Sequence, residues 1–579
     1  MKWDDAEHRT FALHFRLPSE PAPGNAGLPE LPGACRCTLR TIGDTPELAE
    51  FERRENYAGR KPGSDLALEA ELFVVSRLHP DWKVLRIGVP LSELPPDAEL
   101  CLQYTGPAFQ LLADGRLVNE ELPFGDPMTK IDSSAPLLPA VSTPKAVSGP
   151  LHGWSPELWN TWAGDVAVAF LNGEFYLFYL YDRRHHGSKF RKGGHQWGLL
   201  KTRDLRNWTD LGIILPFTEQ WQTFGTGTPF LLDGEVALAY GLHTERLLPD
   251  GMAPRGATWA TSPDGSRFTP SEQVFHAAEN PSVYNRSEGG FRMYTGCGSS
   301  LELWEAGRWP EFHRVRSQIV PNGEASPMRN CLDCPAWFEW QGRHYLLVGF
   351  SGMWSASSPD FSDAVDLAAC GDDIYDGLGV PMVAPFPGDR RILAGWLPIK
   401  GWGGVLGLRE LVRHPDGVLG CKWLEEAMPE AAPRQPLPAD GATADSFFLE
   451  AESEADGFQL RFEGEGEAAE FRIDFKLRCA ELVPVGRDGA STYRELAGQG
   501  KPPFSCECDA FAVEKLRGLD ASRRVRLLAR RERKWGGTIL DAEIAGCRTM
   551  LVFFPGLTIR KCTVSTPAVR LDYAGLARS

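Results

Sequence analysis

A strand that recurs five times constrains the fold of this chain more than any other feature. Each copy is a tight turn followed by an apolar run: "NGEFYLFYLY" (172–181), "DGEVALAYG" (233–241), "EGGFRMYTG" (288–296), "QGRHYLLVGF" (341–350) and "GDRRILAGW" (388–396). A glycine or a charged residue before a run of strand-forming residues is typical of a β-hairpin. The copies begin roughly 50–60 residues apart, close to the length of one propeller blade. The repeat therefore predicts a five-bladed β-propeller with a funnel at its axis, narrow enough to suit one sugar ring.

The sequence on either side of the repeats has a different residue pattern. Pro-rich connectors without any period occupy 144–153 and 430–446, and such stretches are typical of domain boundaries. The flanking segments alternate apolar and polar residues, and "PAFQLLADGRLVNEELPFG" predicts a hairpin at its "ADGR" turn. We therefore expect an all-β chain, with an N-terminal β-sandwich-like domain at 1–145, the propeller at 146–428 and a C-terminal β-sandwich domain at 440–579.

Charge and cysteine content exclude several classes of function. The net charge of −16 argues against nucleic acid as a partner, because phosphate binding needs a positive face. Thirteen cysteines without framework spacing favour a reducing compartment. No apolar run reaches the length of a membrane span, and the start carries no apolar signal region. We expect a cytoplasmic protein, or a secreted one if a signal was trimmed; a homo-oligomer stays open.

Carboxylates near the propeller axis are the candidates for catalysis, because the innermost strand of each blade lines the funnel. The polar residues that precede the repeated strands at this position are Asp165, Glu279, Asn280, Asp333, Asp372, Asp373 and Asp376. Two carboxylates across a sugar-sized funnel are the machinery of glycoside cleavage. Asp372 and Asp373 also read as turn caps. Asp165 stands at the head of an inner strand, where a charge needs a partner or a purpose.

Several motifs resemble those of glycoside hydrolase family 32, the invertase, inulinase and levanase family, and its wider clan. In chain order they are "WAGDVAVAF", "FYLYD", "HQWGLLKTRDLRNW", "FGTGTPF", "DCP", "YDGLGVPMVAPFPGDRRILAGW" and "GVLGLRELVRHPDGVL". They cover about half of the chain. The resemblance implies a five-bladed propeller followed by a β-sandwich, and no metal or organic cofactor.

The resemblance also implies roles for particular residues. Asp165 matches the family's nucleophile, and Asp333 matches its general acid/base. Cys334, beside that acid, is expected to be structural packing. The implied sugar-binding residues are Trp162, Trp197, Phe224 and Asp376.

Two departures from the family pattern fall among these residues. The family's Arg-Asp-Pro motif is matched here by Glu279–Asn280–Pro281, so Asn280 brings hydrogen bonds but no charge to the transition-state position. Asp333 stands where the family has Glu, which retracts the carboxyl by one methylene. The blade-one motif also lacks the family's Asn and Pro-Asn-Gly. The three changes favour another furanose, another linkage or lost activity over ordinary sucrose or fructan hydrolysis.

A basic segment at 182–192 stands out in this acidic chain. Its cationic or titratable residues are Arg183, Arg184, His185, His186, Lys189, Arg191 and Lys192. Such a segment at the rim of the funnel suits a phosphate or carboxylate on the substrate. The alternative is a solvated surface loop.

Three functional hypotheses follow from these residues. The leading one is a retaining glycosidase that cleaves a furanoside, with a β-fructofuranosidase-like activity on a fructose-containing oligosaccharide. A fructosyltransferase or anhydride-forming transglycosylase would use the same intermediate with a different acceptor. A carbohydrate-binding protein that kept the funnel and lost turnover is the third.

Overall fold

The computed structural model is built almost entirely of β-strands. It describes residues 10–43, 55, 57, 63, 65–75, 84–106, 108–122, 126–127, 144–187, 194–218, 222–243, 255–275, 280–297, 300–319, 332–349, 352–367, 370–372, 374–485, 510–532, 534–565 and 569–576. Helical structure within these ranges consists of 3-10 turns at Leu91–Glu93 and Glu425–Ala427. No helix in the described ranges has the length and apolar character needed to cross a membrane.

The N-terminal module packs two antiparallel sheets against each other. Its strands are β1 (Phe11–Phe15), β2 (Glu30–Leu31), β3 (Cys35–Thr41), β4 (Leu66–Val75), β5 (Val84–Pro90), β6 (Leu100–Tyr104), β7 (Phe109–Ala113), β8 (Arg116–Glu121) and β9 (Asp126–Pro127). One sheet has the order β1-β6-β7-β8, and the other has β2-β3-β4-β5 with β9 beside β4. Leu68 of one sheet and Leu102 of the other are buried in one hydrophobic cluster, as expected for a sandwich. The hairpin predicted at "ADGR" is the β7–β8 turn.

The central module contains five antiparallel blades in chain order, and blades two, three and four each form a separate four-stranded sheet. The blade-one and blade-two strands are β10 (Lys145–Ala146), β11 (Thr161–Leu171), β12 (Glu174–Arg183), β13 (Gln196–Thr202), β14 (Trp208–Leu215), β15 (Thr223–Leu232), β16 (Glu235–His243), β17 (Arg255–Ser262) and β18 (Thr269–Pro270). The remaining blades comprise β19 (Ser282–Asn285), β20 (Phe291–Cys297), β21 (Ser300–Ala306), β22 (His313–Arg316), β23 (Pro335–Trp340), β24 (Arg343–Val348), β25 (Met353–Ala356), β26 (Val365–Asp366), β27 (Gly379–Phe386), β28 (Arg390–Pro398), β29 (Gly404–Arg413) and β30 (Leu419–Trp423).

The five repeated sequences form the second strand of each blade, β12, β16, β20, β24 and β28. Local turn chemistry explains why. Asn172 and Gly173 both have positive φ, 51° and 79°, as a two-residue hairpin turn between β11 and β12 requires. Asp233 and Gly234 repeat the geometry in blade two, with φ of 51° and 87°. The repeat therefore encodes the hairpin that joins the first two strands of a blade.

The first strands of the blades form the inner ring of the propeller. Contacts join β11 to β15, β15 to β19, β19 to β23, β23 to β27 and β27 back to β11. The ring closes between blades one and five, where β11 pairs with β29 at Ala163 and Gly404, so that both blades share one sheet. The prediction of an all-β chain with a five-bladed propeller and flanking sandwich-like modules is confirmed.

The C-terminal module again packs two sheets. Its strands are β31 (Gln435–Pro436), β32 (Phe447–Ser453), β33 (Gly457–Glu463), β34 (Ala468–Asp474), β35 (Cys479–Pro484), β36 (Phe511–Val513), β37 (Val525–Glu532), β38 (Gly537–Ile544), β39 (Arg548–Pro555), β40 (Lys561–Val564) and β41 (Val569–Gly575). The sheets have the orders β31-β41-β32-β37-β38-β39 and β36-β35-β34-β33-β40. Its core is continuous with that of blades one, four and five.

Candidate active site

Asp165 lies at a bulge in the inner strand of blade one. The pairing of β11 with β12 shifts between Ala163 and Val166, which leaves Gly164 and Asp165 out of register. Bulges redirect side chains in this way. The ring of Trp402 packs on Gly164 so closely that an added Cβ would lie 2.1 Å from its Cη2 atom, so position 164 requires glycine. The neighbouring Asp165 is itself buried, with a relative exposure of 9%.

Two uncharged groups from neighbouring blades donate hydrogen bonds to the Asp165 carboxylate. The Thr226 hydroxyl donates to Oδ2 at 2.6 Å, and the Trp396 indole N–H donates to Oδ1 at 3.0 Å. Thr226 lies at a second bulge, where the pairing of β15 with β16 shifts between Phe224 and Gly227. Bonds from two different blades to the two oxygens fix the orientation of the carboxylate and offset part of the cost of its burial.

Asp333 lies just before β23, the inner strand of blade four. Its Oδ1 atom accepts a hydrogen bond from the backbone N–H of Cys334 at 2.9 Å and another from the side-chain amide of Asn280. Asn280 is buried and has a φ of 58°, a left-handed conformation that asparagine adopts more readily than most residues. Blade three thus supplies a neutral donor that holds the half-buried carboxylate of blade four.

Cys334 connects the two carboxylates. Its thiol lies 3.4 Å from the Thr226 hydroxyl and 4.0 Å from Asp165 Oδ2, while its backbone N–H binds Asp333. The structure therefore brings Asp165, Asp333 and Asn280 together around one buried cysteine. Glu279 lies outside the described residues.

The three aromatic residues predicted to line a sugar pocket are all buried in protein packing. Trp162 stacks on His185 with ring centroids 4.9 Å apart. Trp197 lies in the core of blades one and two, edge-on to Phe178. Phe224 packs against Phe217 and Tyr240, with centroids 5.0 and 5.1 Å away. The aromatic ring over the Asp165 bulge is instead the half-buried Trp402.

Lys534 of the C-terminal module covers the outer face of the Trp162 ring. Its ammonium lies 5.0 Å from the ring centroid and donates to the carbonyl of Thr161 at 2.8 Å and to that of Pro156. Burial lowers the pKa of Lys534 to about 7. The blade-one motif that precedes Asp165 is therefore packed against the C-terminal module.

Asp376 lies at the interface between blade five and the C-terminal module. Its Oδ2 atom accepts hydrogen bonds from Arg409 Nε and from the Thr549 hydroxyl, both at 2.7 Å. The same Arg409 binds both oxygens of Asp541, at 2.9 and 3.0 Å. These contacts occupy the carboxylate that the resemblance assigned to a sugar hydroxyl. Asp376 therefore joins modules in this structure.

The other two acids of blade five are separate from this group. Asp372 forms an ion pair with Arg517 of the C-terminal module at 2.9 Å. Asp373 lies outside the described residues.

Arg183 and Arg184 lie in the interface with the N-terminal module, whereas the sequence suggested either a substrate-recognising rim or a solvated surface loop. Arg184 donates to Glu55 Oε1 at 2.7 Å and to Glu121 Oε2 at 3.2 Å. Arg183 and Arg184 both donate to the Asn119 side-chain oxygen, at 3.2 and 2.7 Å. Both side chains are almost fully buried. The remaining basic residues of the segment, Lys189, Arg191 and Lys192, lie outside the described residues.

Sequence reasoning missed three residues that contact the Asp165 bulge: Thr226, Trp396 and Trp402. Thr226 and Trp396 stand inside the quoted motifs "FGTGTPF" and "RRILAGW", so their presence near the site was signalled without their roles. Trp402 follows in "KGWGG", which matched no motif.

A comparison with known families identifies the propeller. Residues 160–364 match the model described as "Glycosyl hydrolases family 32 N-terminal domain". These residues are therefore similar to the N-terminal domain of glycoside hydrolase family 32. The match begins five residues before Asp165 and ends in blade four, so both carboxylates of the site fall within the matched region. No curated protein matches the sequence.

Solved structures with a similar fold include three that cover most of this chain. A β-fructofuranosidase from Bombyx mori has 14% identity and a TM-score of 0.54 over 74% of this chain and 94% of that chain. Sucrose-6-phosphate hydrolase from Lactobacillus gasseri has 11% identity and a TM-score of 0.55 over 74% and 92%. Fructan 1-exohydrolase IIa from Cichorium intybus has 13% identity and a TM-score of 0.50 over 75% of this chain and 98% of that chain. At identities this low, the structural similarity shows a shared fold and no more.

Proposed function

We propose that this protein is a retaining glycosidase that cleaves a furanoside, with a fructofuranosyl group as the sugar it transfers to water. One observation carries the proposal: carboxylates from blades one and four, Asp165 and Asp333, lie on either side of Cys334 in the region that matches family 32. The similar structures are named as a β-fructofuranosidase, a sucrose-6-phosphate hydrolase and a fructan exohydrolase, and this supports a fructoside as the substrate class.

In the first step, Asp165 attacks the anomeric carbon while Asp333 gives its proton to the leaving glycosidic oxygen. The glycosidic bond breaks, and an ester bond forms between the sugar and Asp165. In the second step, Asp333 takes a proton from water, and the resulting hydroxide displaces Asp165 from the sugar. The anomeric configuration is retained, because the carbon is attacked twice.

The neighbours of Asp165 suit its role as nucleophile. Thr226 and Trp396 hold Asp165 in one orientation through its two oxygens, which prepares it to attack from a fixed direction. Asn280 binds the Asp333 carboxylate, and we assign it as a positioning residue. An amide here replaces the carboxylate of the family motif, which is why the preferred furanoside is expected to differ from sucrose.

The buried arginines bear on the choice of substrate. Arg183 and Arg184 are bound to acidic residues and Asn119 of the N-terminal module, so we do not assign either to a substrate phosphate. Phosphorylated and unphosphorylated fructosides therefore belong in the same test.

The test is a panel of fructosides, arabinofuranosides and their phosphates, with released sugar followed for the wild-type protein and for Asp165→Asn. The matched control is Asp372→Asn, which removes an ion pair with Arg517 outside the site. We expect release by the wild-type protein and the control, and loss by at least 10³-fold in Asp165→Asn. Product anomers trapped with methanol and resolved by NMR should retain their configuration.

Two results would overturn the proposal. Release that survives Asp165→Asn would exclude Asp165 as nucleophile. Saturable sugar binding without release, unchanged by the substitution, would instead establish a carbohydrate-binding protein. Glycosyl transfer to a second sugar in place of water would keep the intermediate and replace hydrolysis by transglycosylation.

A further inference from the structure

A second group of functional side chains lies beside the Asp165 bulge and has no role in the proposed reaction. It consists of Asp182 near the end of β12, His186 four residues later, and His195 just before β13. Because β12 and β13 are antiparallel, with Tyr181 opposite Gln196, the backbone brings Asp182 next to His195. The pairing register alone therefore places a carboxylate beside an imidazole.

The backbone after β12 turns His186 towards the same point. Arg184, His185 and His186 all have positive φ, at 65°, 49° and 62°. The backbone N–H of His186 donates to Asp182 Oδ1 at 3.0 Å, which closes the turn. The imidazole rings of His186 and His195 consequently lie with centroids 4.6 Å apart.

The distances fit a metal site with two nitrogen ligands and one oxygen ligand. One ligand atom from each residue lies within 4.8 Å of the other two, and Asp182 Oδ1 is 3.4 Å from His195 Nε2. Ligand atoms about 2.0–2.2 Å from a tetrahedral zinc ion lie roughly 3.5 Å apart. The Asp182–His195 pair therefore already has the separation of two zinc ligands, and a ligand atom of His186 lies within 4.8 Å of both.

An independent observation points to a bound cation. The Asp182 side chain is completely buried, and its Oδ2 atom has no hydrogen-bond partner among the described residues. Leaving a carboxylate oxygen buried without a partner is costly, and a cation that contacts both oxygens of this carboxylate removes that cost. A Cβ at Gly403 would lie 3.0 Å from Asp182 Oδ2, so glycine at this position leaves space beside the oxygen.

We propose that Asp182, His186 and His195 bind a divalent first-row transition metal, with Zn²⁺ the ion that best fits the ligand set. Two imidazoles and one carboxylate suit such ions, and they leave a fourth position for water. Trp402 packs on both imidazoles, with centroids 4.1 and 4.2 Å away, and also covers Gly164. Metal binding would thus hold Trp402 over the Asp165 bulge. The proposal does not depend on the proposed glycosidase activity.

The test uses the full chain, stripped with a chelator and then titrated with Zn²⁺ alone by calorimetry, with metal content measured after desalting. We expect one Zn²⁺ per chain and a higher melting temperature in its presence. Co²⁺ should give the visible absorption of a four-coordinate site, whereas Ca²⁺, which prefers oxygen ligands, should not raise the melting temperature.

His186→Asn is the informative variant, because asparagine tolerates positive φ and removes the imidazole. We expect it to lower zinc affinity at least 10-fold, as should His195→Gln. The matched control is His313→Ala, an exposed histidine of β22 that should bind zinc as the wild-type protein does. Equal zinc binding by the wild-type protein and His186→Asn, or no retained zinc in the wild-type protein, would overturn the proposal. Stabilisation by Ca²⁺ in preference to Zn²⁺ would overturn the assignment of the metal.

Discussion

Two parts of this protein hold a buried carboxylate through different kinds of hydrogen-bond donor. At the interface between the propeller and the C-terminal module, Asp376 and Asp541 share the guanidinium of Arg409. In the funnel, Asp165 accepts hydrogen bonds from an uncharged hydroxyl and an uncharged indole. A carboxylate bound tightly to arginine is a poor nucleophile, whereas one held by neutral donors keeps its charge available. Burial alone does not distinguish the two sets, but the donor does.

The largest effect on stability should come from breaking the interface set. Arg409→Met leaves Asp376 and Asp541 buried without their shared cation, so we expect the free energy of unfolding to fall by roughly 3–5 kcal/mol. Denaturant unfolding measures it. The control is Arg203→Met, because that arginine is 80% exposed and its ion pair with Glu174 should contribute less than about 1 kcal/mol. Similar losses in both variants would refute the distinction.

Changes to the donors of Asp165 should lower the catalytic rate more than the stability of the protein. Thr226→Val keeps the side-chain shape and removes the hydroxyl that binds Asp165, so we expect kcat/KM to fall about 10- to 100-fold. Thr258→Val is the matched control, because its buried hydroxyl donates at 2.8 Å to the Gln273 carbonyl. Both variants should lose comparable stability. An undiminished rate in Thr226→Val would show that this donor is not needed.

The interface set should also confer a dependence on pH. Burial lowers the pKa of His152 below 6.5, despite its hydrogen bond to Asp541 and with Arg409 and Arg530 nearby. Below that pH the unfolded chain takes up a proton that folded His152 does not, so stability falls as pH drops. We expect a loss of roughly 1–2 kcal/mol between pH 7 and pH 5. His152→Gln should flatten the profile measured by denaturant unfolding. Parallel profiles would contradict the assignment.

The smallest effect should come from an exposed carboxylate. Asp520 forms an ion pair with Arg478 at 3.2 Å, and its side chain is 89% exposed. We expect Asp520→Asn to change the free energy of unfolding by less than about 0.5 kcal/mol and to leave the sugar-release rate unchanged. A larger loss would mean that exposure is a poor guide to the value of these pairs.

Local sequence patterns could predict the blades because each blade begins with a hairpin whose turn chemistry is local. The pairs Asn172–Gly173 and Asp233–Gly234 each encode such a turn. The approximate position of Asp165 was equally accessible, since the inner strand precedes each repeated strand.

Contacts between distant residues could not be predicted from the sequence. Arg184 lies in a basic segment that suggested a substrate-recognising rim or a solvated loop, yet its partner Glu55 is 129 residues away, in a different module. Asp376 was likewise expected to bind a sugar hydroxyl, but in the structure its carboxylate binds Arg409 and Thr549. Local charge cannot show whether its counter-charge is substrate or protein.

The seam between blades one and five sets the order in which the site is completed during synthesis. The residues that close it are Trp396, which donates to Asp165, Trp402, which covers Gly164, and Gly404, which pairs with Ala163. All three leave the ribosome more than 230 residues after Asp165. A nascent chain with four finished blades therefore carries both Asp165 and Asp333, but not the residues of blade five that contact the Asp165 bulge. Activity should appear during synthesis as a late step, when the fifth blade emerges.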